Sequence, residues 1–335
     1  MYLVEAVPNF STSDIKIVSQ IKNTIEEFEN TYVLDIDINI DYNRSVITFL
    51  TTLDMILDVS FSCIAIALDL IDMAHHKGEH PRLGAVDVFP LIALNNTPKV
   101  ELIELSHKLA KLVGERLKIP VFCYAQSALK KANEFLSTIR INQYEGLKDK
   151  FQSNMHLPDY GPSVFKPKSG VVTIGVREIL IAYNVNLNTT NKKIANDISR
   201  IIRTSGYNLN GQHINGKLKG VQALGFKCIS NRDFTQVSTN ILNYKNSSSI
   251  FDVYENVLNE AHKLNISVSG SEIVGLIPMD ALLFGFCDDD NSTKINKINR
   301  NIDELGLNDL YNFIPDLKIL EFQIEKYFSG YNRLK

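Results

Sequence analysis

Apolar and polar positions along the chain follow two periods and switch between them repeatedly, which predicts a mixed α and β protein. Tyr2–Val7 reads as a strand, and Ser13 is placed to cap a helix running to about Phe28. Tyr32–Ile38 sets apolar residues around Asp35 and Asp37, the alternation of a half-buried strand. After the turn-like Asn39–Asn43, Val46–Leu50 makes another strand. Thr52–His75 is apolar over most of its length and predicts one long helix, with Gly78 as its stop and Pro81 reinforcing it. Val88–Leu94 is a strand, Pro98 opens a helix, and Ile119–Tyr124 is a buried strand.

Residues 156–170 carry three prolines and two glycines, which precludes regular structure. A loop of that length in a compact protein is usually functional or disordered. Strand character resumes at Glu178–Leu187, followed by a helix from Asn191 and a Gly/Asn loop at 206–216. Strands near 221–228 and 234–243, a helix around 250–264 and an apolar segment at 273–286 complete the pattern. Residues 288–301 are poor in apolar side chains and read as a linker. A chain of 335 residues suits two packed units. We place the boundary near residue 177, giving units 1–177 and 178–325 of α/β (α+β) class.

Composition narrows the function classes. With 44% hydrophobic and 22% charged residues and a net charge of −3, the chain lacks the basic character that extended nucleic-acid binding requires. The apolar stretch Leu50–Met73 is interrupted by Asp54, Asp58, Asp69 and Asp72, so it is no membrane span. The opening MYLVEAVPNF has neither a basic start nor a long apolar run, which makes a cytoplasmic protein the expectation. Cys63, Cys123, Cys228 and Cys287 are far apart and form no CxxC pair, as suits buried thiols in a reducing compartment.

The candidate chemistry lies in HHKGEH, residues 75–80, which holds three of the seven histidines. His76 and His80 are four apart, a zinc-ligand spacing, but Gly78 and Pro81 spoil the helix and no third ligand is evident. A loop imidazole used for proton transfer and a solvated helix-end histidine are the other two readings.

Longer stretches carry a family resemblance. VEAVPNFS at 4–11, LDID at 34–37, Asn43-Arg44, GEHPRLGAVDVFP at 78–90 and PDYGPSVFKPKSG at 158–170 resemble the formiminotransferase family. IAYNVNL at 181–187, VQALGF at 221–226, QVSTNIL at 236–242 and VGLIP at 274–278 continue the resemblance in order, to about residue 325. It implies two subdomains with mixed sheets facing each other and helices on the outer faces, in a homodimer. It also implies transfer of a formimino group from N-formimino-L-glutamate to N5 of tetrahydrofolate, a co-substrate, in histidine degradation, with no metal. By that resemblance His80 is the active-site histidine, and His75 and His76 are helix-end residues. The folate-binding loop is Gly161, Pro162, Ser163, Val164, Phe165, Lys166, Pro167, Lys168, Ser169 and Gly170.

Transfer chemistry calls for a carboxylate beside the amidine cation, for which Asp37 is the candidate against the reading of a solvated strand-end acid. It also calls for cations to hold substrate carboxylates. Arg44 and Arg82 are the candidates, against ordinary surface ion pairing. Two departures bear on this. Residues Asn39–Tyr42 stand where relatives have a Gly-Pro turn, which puts the position of Arg44 in question, and Ser169 stands where the animal enzyme has tryptophan. No cyclodeaminase-like segment follows residue 325, so a separate downstream enzyme is expected. The alternatives are formyl transfer between 5-formyl-tetrahydrofolate and glutamate, a folate-binding paralogue with little catalysis, and a metal hydrolase.

Overall fold

The computed structural model describes residues 1–153, 156–228, 234–283, 293–310 and 312–328. The chain divides into two compact units, Met1–Glu178 and Ile179–Lys335. In the first, strands β1 (Leu3–Ala6) and β2 (Asn9–Phe10) precede helix α1 (Ile15–Glu26), followed by β3 (Tyr32–Asn39), β4 (Arg44–Thr52) and helix α2 (Ile56–Leu70). Then come β5 (Val86–Leu94), α3 (Lys99–Leu112), β6 (Val121–Cys123), the short helices α4 (Leu136–Ile139) and α5 (Leu147–Gln152), and β7 (Val172–Val176).

These strands form one mixed sheet. β1 and β2 each pair with both β4 and β5, so they act as one interrupted strand between them. β3 is antiparallel to β4, while β5, β7 and β6 run parallel. One face packs on the helices: Ile47 and Phe49 of β4 join Val18, Ile21 and Ile25 of α1 and Val59, Cys63 and Ile64 of α2. A bulge between Val33 and Asp35 shifts the parity of β3. Val33, Ile36 and Ile38 therefore all pack toward this core, and Asp35 and Asp37 take the opposite face. On that face the β5–β7–β6 end is covered by Ile139, Leu147 and Phe151, which pack with Val88 and Phe122.

Several expected boundaries move. Asp14 caps α1, accepting the Lys16 N–H at 2.8 Å, whereas the Ser13 hydroxyl donates to Asn43. The long helix expected over Thr52–His75 is shorter at both ends. Thr51 and Thr52 are paired to Val4 and Leu3, and α2 ends at Leu70. Beyond it, Asp72 caps a separate turn at Met73–His75, and the Lys168 carbonyl takes the Met73 N–H at 2.8 Å.

The second unit begins with β8 (Leu180–Leu187) and α6 (Lys192–Ile202). The expected loop at 206–216 contains a hairpin, β9 (Tyr207–Leu209) with β10 (Gln212–Ile214). Its turn is Asn210-Gly211, both at positive φ (51° and 82°), as a type I′ turn requires. β11 (Val221–Cys228), β12 (Phe234–Leu242), α7 (Ile250–Lys263), β13 (Val268–Val274), α8 (Met279–Leu283), α9 (Lys294–Glu304), α10 (Pro315–Lys318) and α11 (Leu320–Tyr327) follow. The main sheet, β11-β12-β8-β13, is antiparallel throughout rather than mixed. Tyr183 and Val185 of β8 pack with Ile198 and Val257 in its core. The linker expected at 288–301 is helical from Lys294 and buries Ile298 and Asn301; residues 288–292 lie outside the described residues, as do 284–286 of the apolar segment and Cys287.

Candidate active site

The turn joining β3 to β4 organises the site. Asn39 Oδ1 accepts the Tyr42 N–H at 2.9 Å, and the Asn43 N–H donates to the Ile40 carbonyl at 3.0 Å. Asn43 adopts φ 45°, a left-handed conformation asparagine tolerates. Asn39 then pairs with Arg44, so the Asn39–Tyr42 departure keeps Arg44 as the first residue of β4. Asn43 also anchors the histidine segment: its Nδ2 donates to the Lys77 carbonyl at 3.0 Å, and its own carbonyl accepts from His76 Nε2 at 2.8 Å. Gly78 lies so close to this turn that an added Cβ would be 2.1 Å from the Tyr42 carbonyl oxygen. Close approach, and not a helix stop, is what glycine provides there.

His80 Nδ1 lies 2.8 Å from the Pro81 carbonyl. A carbonyl can only accept, so Nδ1 carries the hydrogen and Nε2 the lone pair. The ring sits 5.6 Å from that of Tyr42, tilted by 49°. Burial, then the positive charges of Arg44 and Arg140, hold the imidazole well below its ordinary value of 6.5, so it is neutral near pH 7.

Arg44 is partly buried and donates to Asn9 Oδ1. Burial and the neighbouring Arg140 pull its guanidinium down to about 10, against the attraction of Asp87 and Asp37. Arg140 pairs with buried Asp87, whose other oxygen accepts the Leu83 N–H at 2.9 Å. The Nε–H groups of Arg44 and Arg140 are buried and meet no acceptor among the described residues. Asp37 is paired with Val46 and shares with Arg44 the sheet face turned away from the helices. Arg44 thus feels the charge of Asp37 and in turn acts on His80.

Arg82 is paired within the chain. Its two terminal nitrogens fork onto Glu145 at 2.9 and 2.5 Å, and its Nε donates to His76 Nδ1 at 3.2 Å. The guanidinium is buried and held by a carboxylate of the chain itself. His76 therefore uses both ring nitrogens, donating to Asn43 and accepting from Arg82. That corrects its expected role as a helix-end residue and leaves it no lone pair for zinc. His75 is exposed in the turn beyond α2. No group of three potential ligands gathers among the described residues.

The 161–170 loop is laced to the histidine segment by its backbone. Ser169 O accepts the Ala85 N–H at 2.9 Å, Leu83 O accepts the Val171 N–H at 3.2 Å, and Gly84 bridges Gly170. Gly170, at φ 66°, would place a Cβ 2.2 Å from the Leu83 carbonyl oxygen. At the other end, Gly161 (φ 79°) packs equally close to the Ile119 carbonyl. Phe165 packs on Tyr144, and the Tyr144 hydroxyl donates to the Pro167 carbonyl. Lys168 Nζ donates to Asp69 O at 2.7 Å, Ser169 is buried, and Ser163 and Val164 stand exposed at the loop tip. A shallow hollow of roughly 260 Å³ between α2 and this loop includes Lys168 and Ser169 but none of His80, Asp37 or Arg44, so we assign it no chemistry.

Sequence reasoning missed Tyr42, Asp87, Arg140 and Glu145. For Asp87 there was a signal, a lone charge in the otherwise apolar run Ala85–Leu94, since such a charge must be paired. Arg140 and Glu145 lie in a polar loop where nothing local marks them.

Both units match family models: residues 3–177 match the N-terminal subdomain of the formiminotransferase domain, and residues 182–325 match the formiminotransferase domain. The chain belongs to the formiminotransferase family. The glutamate formimidoyltransferase of Thermoplasma acidophilum is 40% identical over 286 residues, covering 84% of this chain and 90% of that protein. The protein of the same name from Streptococcus pyogenes serotype M1 is 34% identical over 282 residues, 84% and 91% respectively. Formimidoyltransferase-cyclodeaminase of Rattus norvegicus is 35% identical over 329 residues, 96% of this chain, which spans 60% of that relative's length.

Proposed function

We propose that this chain transfers the formimino group of N-formimino-L-glutamate to N5 of tetrahydrofolate, a one-carbon step of histidine degradation. The observation that carries the reading is a neutral imidazole, its Nε2 lone pair set by the Pro81 carbonyl, within the field of the Arg44 and Arg140 guanidiniums, the first of which also feels the carboxylate of Asp37. N5 attacks the formimino carbon and must lose a proton as the new bond forms. His80 Nε2 accepts it and returns a proton to the departing glutamate amine, a role worth ~10²–10⁴-fold. Asp37 stabilises the amidine in its cationic, more electrophilic form. Arg44 supplies positive charge for a substrate carboxylate.

Electrostatics couples these roles. Arg44 and Arg140 together disfavour the imidazolium of His80. A substrate carboxylate placed beside either guanidinium offsets that field and raises the basicity of Nε2 when the donor is bound. Residues 161–170, tied by backbone bonds to the segment 83–85 that leads into β5, hold the folate. Arg82, paired with Glu145, supports this architecture. Relatives at 40% and 34% identity that cover nine-tenths of their own length support the assignment. No helix among the described residues is long and apolar enough to cross a membrane.

The test is to mix the purified chain with tetrahydrofolate and N-formimino-L-glutamate and follow 5-formimino-tetrahydrofolate spectroscopically. N-formyl-L-glutamate runs in parallel. Turnover with the formimino donor is expected. Turnover with the formyl donor alone would replace the reading by formyl transfer, and silence with both would end it.

A further inference from the structure

Between β6 and the 161–170 loop the chain makes a long excursion whose far end reaches the histidine segment. Three links hold that end: Arg140 pairs with Asp87, Glu145 pairs with Arg82, and the Tyr144 N–H donates to the Arg82 carbonyl at 2.9 Å. The two limbs of the excursion meet again at a neck, which closes on one carboxylate. The Asp159 side chain is only 1% exposed. Its Oδ2 accepts the Cys123 N–H, at the end of β6, at 2.9 Å and Asn133 Nδ2 at 3.1 Å, while Oδ1 pairs with Lys130 Nζ at 3.1 Å. The Asp159 N–H donates to the Val121 carbonyl at 2.8 Å, so backbone and side chain both fix this residue to β6.

The order of bonds in the neck follows from what each group can do. A carboxylate oxygen accepts, so Asn133 presents its NH₂ to Asp159 and its Oδ1 to His156. That Oδ1 lies 2.6 Å from His156 Nε2, which therefore carries the hydrogen. Lys130 Nζ also donates to the Leu157 carbonyl at 2.8 Å. Outgoing residues Lys130 and Asn133 are thereby bound to returning residues His156, Leu157 and Asp159. Asn133 is fully buried, and a buried amide must keep its partners. Helix α4 begins three residues beyond it and ends at Arg140, whose N–H bonds to the Leu136 carbonyl at 2.9 Å. α5 braces α4 through Lys150 Nζ, which donates to the Ile139 carbonyl at 2.7 Å. One short helix thus separates the neck from the guanidinium that acts on His80.

We propose that Asp159 is a positioning residue of the histidine site: by clasping Asn133 at the root of α4, it sets where the Arg140 guanidinium stands beside Asp87 and acts on His80. The inference rests on the reading of His80 as the general base. Asp87 holds the charge of Arg140, and the clasp fixes the backbone from which that side chain reaches it. With the clasp broken, the outgoing limb loosens and the guanidinium moves with it. Its charge then acts on the imidazole over a longer path and through more water, which weakens the repulsion of a proton on His80.

The test uses the full chain without substrates and follows the His80 imidazole titration by NMR. Asp159→Asn removes the charge at the centre of the neck, and Asn133→Leu removes the amide that links it to α4 with little change of volume. Thermal melting establishes that each variant is folded, and the second stands in if the first is not. The His80 midpoint should rise by roughly 0.5 or more on the pH scale in each folded variant. In an Arg140→Met background the same changes should leave the midpoint where Arg140→Met alone puts it, because the clasp acts through that guanidinium. A role in stability alone would lower Tm and leave the midpoint unmoved. A smaller rise or a fall in the folded single variants would overturn the inference, as would an equal rise in the Arg140→Met background. Formimino transfer by the parent is measured beside them: its absence ends the general-base reading and the inference with it, whereas an active parent with unmoved midpoints ends the inference alone.

Discussion

Arg140, which acts on the His80 imidazole, is paired with buried Asp87, and Asp87→Asn tests how much of the site depends on that pair. Asparagine keeps an oxygen for the Leu83 N–H, so the local backbone retains its bond. What disappears is the negative charge beside Arg140 and Arg44. The carboxylate is only 2% exposed and the Arg140 side chain 18% exposed, so water screens the loss poorly. Neither Nε–H has another acceptor among the described residues. Removing one partner of a buried ion pair costs about 3–5 kcal/mol. For a unit of this size that corresponds to a fall in Tm of roughly 6–20 °C. Adding Arg140→Met removes the stranded cation and should restore most of the loss, because a buried pair replaced by apolar groups is close to neutral. The assay is a thermal and urea melt of the full chain for parent, single and double variants. A loss below about 1 kcal/mol in Asp87→Asn, the value of a solvent-exposed pair, would refute the reasoning.

The other predictions concern the two loops and the histidine. Gly170→Ala forces a side chain into a positive-φ position 2.2 Å from a carbonyl oxygen; it should lower stability by about 1–3 kcal/mol and raise the KM for tetrahydrofolate more than it lowers kcat. Both are read from melts and steady-state rates, and an unchanged KM would detach this loop from folate. Arg44→Gln removes one of the two cations acting on His80, so the imidazole titration followed by NMR should move up toward 6.5; a downward move would contradict the assigned field. Because the folded-state value lies below that of the unfolded chain, the unfolded state takes the proton first as pH falls. His80 therefore contributes stability that is present above about pH 6.5 and lost as pH drops below it, measurable in melts of parent against His80→Gln.

How much was legible in the sequence depended on whether the deciding contact was local. The alternation in β3 and the apolar run of β5 were readable because burial of one or both faces writes itself into neighbouring residues. The strand-to-helix boundary near Thr52 was not, because Thr51 and Thr52 are held by Val4 and Leu3, which lie almost fifty positions upstream. The hairpin at Asn210-Gly211 did carry a local signal, one that a reading of polar composition as loop passed over. In the site, His80 could be singled out from its motif. The different fate of His76 is set by Asn43 and Arg82, and that of Arg82 by Glu145, contacts between segments far apart along the chain. Arg140 acts on His80 across sixty positions, with no motif to announce it.

The most direct measurement is the single-turnover rate of formimino transfer from N-formimino-L-glutamate to tetrahydrofolate by His80→Ala beside the parent, each shown to be folded by its melt. The account predicts turnover by the parent and a loss of roughly 10²–10⁴-fold in the variant, the contribution of a positioned general base. A folded His80→Ala chain that transfers at the parental rate would contradict it.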